Sequence, residues 1–294
     1  MKVVWLLNLY AALTLCGAFE SIWARPGVDA ASSAPKPDKS QYTLFNPTPT
    51  SQMRDFNPDR PSQTDGPLTI DAGHFQIEMG LVTYSRDRTD LTRLDQFDFG
   101  QFNLRIGLLN NVEFDVIVTP YSYVRTVDRT TGEKRLQRGF GDLTLRSKIN
   151  LVGNEGGNFS LGLIPFLNLP TATDNLGAGD VEGGLGLPVQ FNLPGGWQMG
   201  AETSFNLKRS QDGGVHWEYD NSVELSRSIV EKLGGYIEFF SQISTEAHQG
   251  WIGTVDGGFT YQISGNVEID AGVNAGVTKA ATDLQPFVGA TWRF

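Results

Sequence analysis

The sequence predicts an all-β fold, an antiparallel transmembrane β-barrel of about twelve strands. Three features predict it: apolar and polar residues alternate along most of the chain after residue 73, short and long connections alternate, and aromatic residues recur near strand ends. The mean hydropathy of the 294-residue chain is -0.23. No run of about 20 apolar residues follows the N-terminal region, which excludes a bundle of transmembrane helices. A barrel remains possible because its lipid-facing residues alternate with polar ones.

The N-terminus resembles a secretory signal peptide. A positively charged start precedes a mainly apolar run over residues 3–15, and small residues follow. We expect residues 1–24 to be removed by cleavage after Ala24, with cleavage after Ala18 as the alternative. Cys16 is the only cysteine, so the mature chain would have none, which excludes a zinc–thiolate site and a thiol nucleophile.

Residues 25–67 are rich in Pro, Ser, Asp and Thr and poor in apolar residues. Such a segment buries too little apolar surface to fold alone. The sequence therefore predicts a flexible periplasmic tail over residues 25–67 and a barrel over residues 68–294. A different possibility stays open for the segment from Arg54 to Pro61, which could tuck into the barrel mouth.

Each barrel strand is predicted where apolar residues recur at every second position. The twelve predicted strands cover residues 75–81, 102–108, 112–118, 143–151, 159–169, 185–193, 197–208, 217–225, 237–244, 251–263, 267–274 and 284–294. Connections after even strands are short, as at residues 110–111, and those after odd strands are mostly longer, as at residues 171–180. This alternation is typical of bacterial outer-membrane barrels, with short periplasmic turns and longer extracellular loops. A soluble sandwich would not require it.

Aromatic residues form two predicted girdles at the membrane boundaries. The periplasmic girdle comprises Phe75, Phe159, Trp197, Tyr261, Trp292 and Phe294, and the outer girdle comprises Trp217, Tyr219 and Trp251. The lipid bilayer is therefore a predicted partner. Phe294 ends the chain, and we expect it to be the residue that the outer-membrane assembly machinery recognises.

The face opposite the apolar one carries most of the charged residues of the strands. The candidate lumen-facing residues are Glu78, Arg105, Glu113, Asp115, Asp142, Arg146, Lys148, Glu202, Lys208, Glu218, Glu224, Glu238, Asp256, Glu268, Asp270 and Arg293. The same parity assigns Glu182 and Asp220 to the lumen. Carboxylates predominate, which predicts either a polar passage that disfavours anions or a filled interior cross-linked by ion pairs. The inward aromatic residues predicted by parity are Tyr121, Tyr123, Phe166, Phe240 and Phe287.

Other classes of function find little support in the sequence. The net charge of -10 argues against a nucleic-acid partner, because no basic patch would displace counterions from phosphates. The three histidines, His74, His216 and His248, are predicted to lie at the barrel rims, and none belongs to a His-x-Ser pair. Asp174 and Asp180 flank a Gly-rich loop but lack the regular oxygen ligands of a calcium site. We therefore predict no enzyme activity, no catalytic, cofactor-binding or metal-binding residues and no cofactor.

Several short motifs occur in a specific order. They are Asp59-Arg60-Pro61, residues 73–78 (GHFQIE), residues 139–143 (GFGDL), Leu169-Pro170-Thr171 and residues 284–289 (LQPFVG). Together they resemble the phenol-degradation meta-pathway outer-membrane protein family over roughly residues 55–294. The resemblance implies an outer-membrane barrel that transports small, often aromatic, compounds. It implies no catalytic or binding residues.

The sequence thus predicts an outer-membrane β-barrel that acts as a porin-like channel or transporter for a small, possibly aromatic, solute. The alternative is a structural or interaction barrel with a plugged lumen and no transport. A lumen filled by residues 53–67 would favour that alternative. The expected location is the bacterial outer membrane.

Overall fold

The computed structural model describes residues 38–210 and 212–294. Its strand segments form one antiparallel sheet that closes on itself, because β1 pairs with both β2 and β14. The predicted all-β barrel is therefore confirmed. The segments are β1 (Phe75–Arg88), β2 (Thr92–Leu109), β3 (Val112–Val118), β4 (Tyr121–Asp128), β5 (Lys134–Gly139), β6 (Leu143–Val152), β7 (Phe159–Leu169), β8 (Glu182–Leu193), β9 (Trp197–Arg209), β10 (Val215–Val230), β11 (Leu233–Ser244), β12 (Ile252–Ser264), β13 (Val267–Gly276) and β14 (Leu284–Arg293).

Two barrel strands are each divided into two segments. β2 pairs with β4 along its first half and with β3 along its second half, while β4 pairs with β5 and β3 with β6. The break between β3 and β4 falls at Pro120, which has no N–H to donate to the ladder. Because β3 with β4 and β5 with β6 each make one strand, the fourteen segments form the predicted twelve strands.

The connections define two rims. The short-turn rim carries the turns 110–111, 153–158, 194–196, 231–232 and 265–266, together with the first residue of β1 and the last of β14. The long-loop rim carries the connections 89–91, 129–133, 170–181, 210–214, 245–251 and 277–283. The predicted alternation is present in part: the connections 89–91, 129–133 and 210–214 are no longer than the turn 153–158, whereas 170–181, 245–251 and 277–283 are longer than every turn on the other rim.

The first four strands are longer than the sequence pattern predicted. β1 extends to Arg88 and β2 begins at Thr92, whereas apolar alternation was recognised only to residue 81 and from residue 102. β4 and β5 likewise form a paired hairpin. The outward face of these extensions carries aromatic residues first and cations nearer the long-loop rim, so the strands continue where the strict apolar–polar alternation fades.

The outward face is apolar and aromatic. Phe159, Tyr261, Trp292 and Phe294 are exposed at the short-turn rim, and Trp217 and Trp251 are exposed towards the other rim. Exposed aliphatic residues cover the strands between them, and these include Val223, Ile237, Val255, Ile269, Val273 and Val288. An apolar surface that surrounds the barrel is stable in contact with lipid and would be unfavourable in water.

One prediction about the inner face is wrong. Tyr121 is exposed and packs against Phe99 on the outside of the barrel, with 6.2 Å between ring centroids. Tyr123 faces outward as well, because Ser122 and Val124 on the alternate parity are the buried residues. The alternation restarts after the break at Pro120, which reverses the parity expected from β3.

Residues 38–72, which we call the N-terminal segment, begin at the short-turn rim and enter the barrel from about residue 54. A short 3-10 helix, Thr50–Gln52, lies within it, and Thr43 pairs with Leu109 at the end of β2. A flexible tail was expected over residues 25–67, and from residue 38 onward the chain is instead held by polar contacts with the lumen wall. Residues 25–37 lie outside the described part. No helix among the described residues is long and apolar enough to cross a membrane.

Candidate functional site

The lumen is the candidate site, and the predicted charged residues line it in three groups. The first group, on β1, β2, β3 and β6, surrounds Asp59 of the N-terminal segment. The second, on β9–β14, contacts other residues of the segment or lies beside those that do. The third lies towards the long-loop rim, beyond the segment.

The first group is a buried ion-pair cluster. Asp59 accepts contacts from Lys148 at 2.5 Å, Arg105 at 3.3 Å and Arg146 at 3.4 Å. Arg105 and Lys148 are 0% exposed. The remaining members pair with these cations: Glu78 and Glu113 each lie 2.7 Å from Arg105, and Asp115 and Asp65 each lie 2.7 Å from Arg146.

The cluster sets the charge state of Asp59. Burial opposes ionisation of its carboxyl group, but the positive charges of Arg105, Lys148 and Arg146 outweigh that effect. They hold the pKa of Asp59 well below its usual range. Asp59 is therefore an anion that three wall cations require, and its removal would leave them with less compensation.

The second group binds the next residues of the N-terminal segment. Arg60 forms a two-contact ion pair with Asp270, at 2.6 Å and 3.0 Å, and its guanidinium lies 5.5 Å from the ring of Phe287. The Gln63 side chain donates to Asp256 at 2.7 Å. Both contacts are charge-assisted, the stronger kind of hydrogen bond.

Backbone groups of the segment are bound in the same way. The backbone N–H of Thr64 donates to Glu238 at 2.7 Å, and its hydroxyl lies 2.7 Å from that of Ser222. The backbone N–H of Asp65 donates to Glu202 at 2.9 Å. The wall carboxylates thus satisfy backbone donors that would otherwise be unpaired inside the barrel.

Glu224 and Glu268 are half-buried on the same inward face. Glu224 is opposite Glu238 in the ladder, and Glu268 is opposite Thr291, which in turn is opposite Glu78. They extend the acidic character of the wall beside the segment.

At the short-turn rim a second ionic group anchors the segment. Lys39 lies 2.9 Å from Glu155 and 3.3 Å from Asp71, and Arg54 lies 3.2 Å from Glu155. Burial would raise the pKa of Glu155, but the hydrogen bond from Lys39 and the charges of Arg54 and Lys39 outweigh it and lower that pKa. Arg293, the last predicted lumen residue, donates to the backbone oxygen of Arg54 at 2.9 Å.

Glycines on the inward face provide the space for this segment. A Cβ at Gly289 of β14 would collide with the Arg60 guanidinium, and one at Gly107 of β2 would collide with the backbone of Asp71. Larger residues at these two positions would therefore displace the segment from the wall.

Beyond the segment lies a cavity of about 320 Å³, which we call the vestibule. Its floor includes Gln63 and Asp65 of the segment, and it extends towards the long-loop rim. Its wall residues include the predicted Arg146, Glu202, Lys208 and Glu218, with Asp220 and the aromatic residues Phe166 and Phe240.

Two predicted residues lie at the outer end of this region. Lys208 pairs with Glu182 at 2.9 Å. Asp142 accepts hydrogen bonds from the backbone N–H groups of Ala172 and Ala178, at 2.9 Å and 2.8 Å. Asp142 therefore holds the long loop 170–181 against the barrel.

The histidines lie at the rims, but two are more enclosed than a surface location suggests. His74 contacts the backbone oxygen of Thr48 at 2.8 Å. His216 is buried between the hydroxyl of Ser210, at 2.9 Å, and the carboxylate of Glu218, at 3.3 Å. Among the described residues there is no group of three or more His, Cys, Asp or Glu side chains that could hold a metal ion.

Sequence analysis left open that residues 54–61 enter the barrel mouth, and the structure places Asp59 and Arg60 inside it, but the sequence did not identify which residues of the segment contact the wall. Asp59, Gln63, Thr64 and Asp65 are polar residues in a polar, Pro-rich stretch, so period-2 analysis gives them no place in the barrel. The available signal was the excess of lumen carboxylates over cations, which leaves acceptors that donors from elsewhere can satisfy.

Comparison with known proteins agrees with this geometry. A family model described as "MetA-pathway of phenol degradation" matches residues 58–294. The chain belongs to this family. The match begins within the N-terminal segment, one residue before Asp59, and extends to the last residue of the chain. The predicted family resemblance is confirmed.

One of the solved structures compared with this chain shows the same fold at a TM-score above 0.5. The COG4313 outer membrane channel from Pseudomonas putida F1 has a TM-score of 0.54 at 11% identity, covering 75% of this chain and 93% of that chain. The NanC porin has a TM-score of 0.47 at 7% identity, covering 74% and 98%. An anion-selective porin from Comamonas acidovorans has a TM-score of 0.38 at 8% identity, covering 75% and 98%. No protein with a curated description matches the sequence.

These findings place the chain among the outer-membrane β-barrels. The closed barrel, its apolar outer face and the fold of the Pseudomonas channel agree with the predicted location in the bacterial outer membrane. The barrel is porin-like in architecture, and its direct environment is the lipid bilayer.

Proposed function

We propose that this member of the family is a channel for small molecules, and that its N-terminal segment closes the periplasmic half of the lumen. The observation that carries the proposal is the vestibule, whose floor is formed by the segment itself, at Gln63 and Asp65. A solute that enters from the long-loop rim would meet the segment before it meets the opposite rim.

The lining of the vestibule favours a particular class of solute. Four carboxylates line it, those of Asp65, Glu202, Glu218 and Asp220, against the two cations Arg146 and Lys208. This balance disfavours anions, because an anion would lose hydration in a field of its own sign. Phe166 and Phe240 add flat apolar surface. A neutral or cationic solute that contains an aromatic ring fits this lining best.

The contacts of the segment support reversible closure. They are hydrogen bonds and ion pairs in a polar lumen, and water can replace each neutral contact at a net cost of about 1 kcal/mol and each charged one at about 2–3 kcal/mol. Residue 75 begins β1, so a released segment would stay attached to the barrel and could return.

A reversible cross-link tests the proposal. The hydroxyl oxygens of Thr64 and Ser222 lie 2.7 Å apart, so the double variant Thr64→Cys, Ser222→Cys should form a disulfide that fixes the segment to β10. Liposomes that contain this variant should take up a small aromatic amine only after reduction. The single variant Thr64→Cys is the matched control and should be insensitive to reductant. Equal uptake by the oxidised and reduced double variant would contradict the proposal.

The filled inner half also favours a second candidate function. A structural or interaction barrel needs no passage, and the polar network between the segment and the wall could serve only to stabilise it. In that case the liposomes would not take up the aromatic amine even after reduction of the cross-link, although the barrel is folded.

A further inference from the structure

The outward face near the long-loop rim carries an unusual pair of features. Here β1, β2, β4 and β5 lie side by side, because β2 pairs with β1 and β4 and β4 pairs with β5. Aromatic side chains occupy one level of this face and cations occupy the next. Neither feature belongs to the lumen or to the proposed passage.

The aromatic level comprises Tyr84, Phe97, Phe99, Tyr121 and Tyr123, which we call the outer aromatic belt. Ring centroids are 4.7 Å apart for Tyr84 and Phe97 and 6.2 Å apart for Phe99 and Tyr121. Phe97, Phe99 and Tyr121 are exposed. Val82 lies in the same row as Phe99 and pairs with Val288 on the lipid-facing side of β14. The belt is therefore continuous with the surface that contacts lipid.

The cationic level lies directly beyond the belt, towards the long-loop rim. Its members, which we call the outer cationic patch, are Arg86, Arg88, Arg93, Arg125 and Lys134. Residues that are opposite one another on neighbouring strands form a row across the sheet. One row contains Arg86, Asp95 and Arg125, and the next contains Arg88, Arg93, Val127 and Lys134. Rows on one face are two residues apart, so the patch begins about 7 Å from the belt.

The charge of the patch is opposite to that of the whole chain. The chain has a net charge of -10, yet these rows contain five cations and one carboxylate, that of Asp95. Asp95 is paired with Arg93 at 2.9 Å. Within residues 38–210 and 212–294, Arg88, Arg125 and Lys134 make no ion pair in the barrel. Arg88 and Lys134 are therefore exposed without an ion pair to any described residue, and Arg125 is exposed beside Asp95, its neighbour across the ladder.

We propose that this face binds a phosphate-bearing glycolipid of the outer leaflet. The acyl chains of the lipid pack against the outer aromatic belt, and its phosphates pair with Arg88, Arg125 and Lys134. Arginine and lysine are the side chains that recognise phosphate, and basic groups at a membrane boundary bind anionic headgroups. The separation of the two levels matches a lipid whose phosphates lie immediately above its acyl chains.

The test measures lipid binding by the purified, full barrel. Native mass spectrometry compares lipid A that carries its phosphates with the same lipid after their removal. The wild type should retain the phosphorylated lipid, and the triple variant Arg88→Gln, Arg125→Gln, Lys134→Gln should bind it at least about tenfold more weakly. Removal of the phosphates from the lipid should have a similar effect on the wild type.

A matched control removes the same charge elsewhere. Arg135 neighbours Lys134 on β5 but has the opposite parity, Arg209 ends β9, and Lys279 lies in the loop 277–283. The triple variant Arg135→Gln, Arg209→Gln, Lys279→Gln should bind as the wild type does. Equal loss in both triple variants, or equal binding of both lipids by the wild type, would overturn the proposal. The proposal would also be overturned if, without lipid, the protein formed a dimer that only the outer cationic patch stabilises.

Discussion

Asp59 shows how one residue determines the state of the lumen. It is the shared anion of Arg105, Arg146 and Lys148, and these cations lie on β2 and β6. A buried cation that loses its partner is expensive, because its hydration has already been lost. Asp59 therefore holds the N-terminal segment in place by satisfying the wall, and the wall in turn keeps Asp59 ionised.

Neutralisation of Asp59 should release the segment. For Asp59→Asn we expect a loss of about 3 kcal/mol in docking free energy, because the amide retains the size of the carboxylate but not its charge. The measurement is trypsin cleavage at Lys39 and Arg54, which should be faster than in the wild type. Asp55→Asn is the control, because residue 55 belongs to the same segment but not to the cluster. Unchanged cleavage in Asp59→Asn would show that the cluster does not hold the segment.

The pH dependence of docking follows from the lowered pKa values of Asp59 and Glu155. A carboxyl group whose pKa is lower in the docked state stabilises that state above the pKa of the released group. This stabilisation is lost as the pH falls through the docked pKa. Through these two groups, docking should therefore weaken as the pH falls below about 4, where free carboxyl groups begin to titrate. Pepsin cleavage of the segment at pH 4 and at pH 2.5 tests this, and equal protection at both would contradict it.

Gly289 tests the space that the segment needs. A methyl group there would displace the Arg60 guanidinium from Asp270. We expect Gly289→Ala to weaken docking by about 2 kcal/mol, the value of a hydrogen bond between charged groups, and to increase trypsin cleavage. Gly257→Ala is the control. Gly257 faces outward on β12, and the atom nearest to the added methyl group would be the backbone oxygen of Tyr236, at 3.3 Å. Equal protection of both variants would contradict this role for Gly289.

At the scale of elements, closure depends on the two terminal strands. The backbone N–H of Phe294 donates to Phe75 at 2.9 Å, that of Phe75 donates to Phe294 at 3.1 Å, and their rings stack with centroids 5.9 Å apart. Trp292 lies 4.9 Å from the ring of Phe294. The last residue therefore completes both the ladder and the aromatic girdle where the barrel closes.

Removal of Phe294 should impair insertion into the outer membrane. The expected result is a reduced yield of heat-modifiable, folded barrel in the membrane fraction, because both the final ladder contact and the terminal aromatic ring are lost. Phe294→Tyr keeps the ring and should assemble as the wild type does. Normal assembly of the truncated chain would refute the role of Phe294 in recognition by the assembly machinery.

The elements differ in how well the sequence predicts them. Strands with one lipid-facing side, such as β9 and β13, have a clear period of two, and their limits are within a few residues of those predicted. The hairpin of β4 and β5 lacks this signal because it extends beyond the bilayer and carries charges on both faces. The break at Pro120 then reverses the parity of Tyr121, which no pattern that runs through the proline can predict.

At the scale of the whole molecule, the inside and outside have different electrostatic roles. Parity identified the carboxylates of the lumen, because alternation fixes which side a residue faces. It could not identify their partners, because hydrogen bonds such as that between Thr64 and Glu238 join residues 174 positions apart. The composition of residues 25–67 suggested disorder, since contacts with a wall formed later in the chain are not encoded locally.

The filled inner half and the open vestibule together describe a closed channel. The N-terminal segment, residues 38–72, blocks the acidic lumen between the vestibule and the short-turn rim. The barrel wall does not depend on the segment for its ladder, since β1 to β14 close by pairing among themselves. A barrel without the segment should therefore fold and conduct.

The most direct test of this account is the conductance in planar bilayers of a variant that lacks residues 38–72, compared with that of the full chain. The account predicts small or rare openings for the full chain and a large, stable, cation-preferring conductance for the variant. A variant that folds, as shown by heat-modifiable migration, but conducts no more than the full chain would contradict the account.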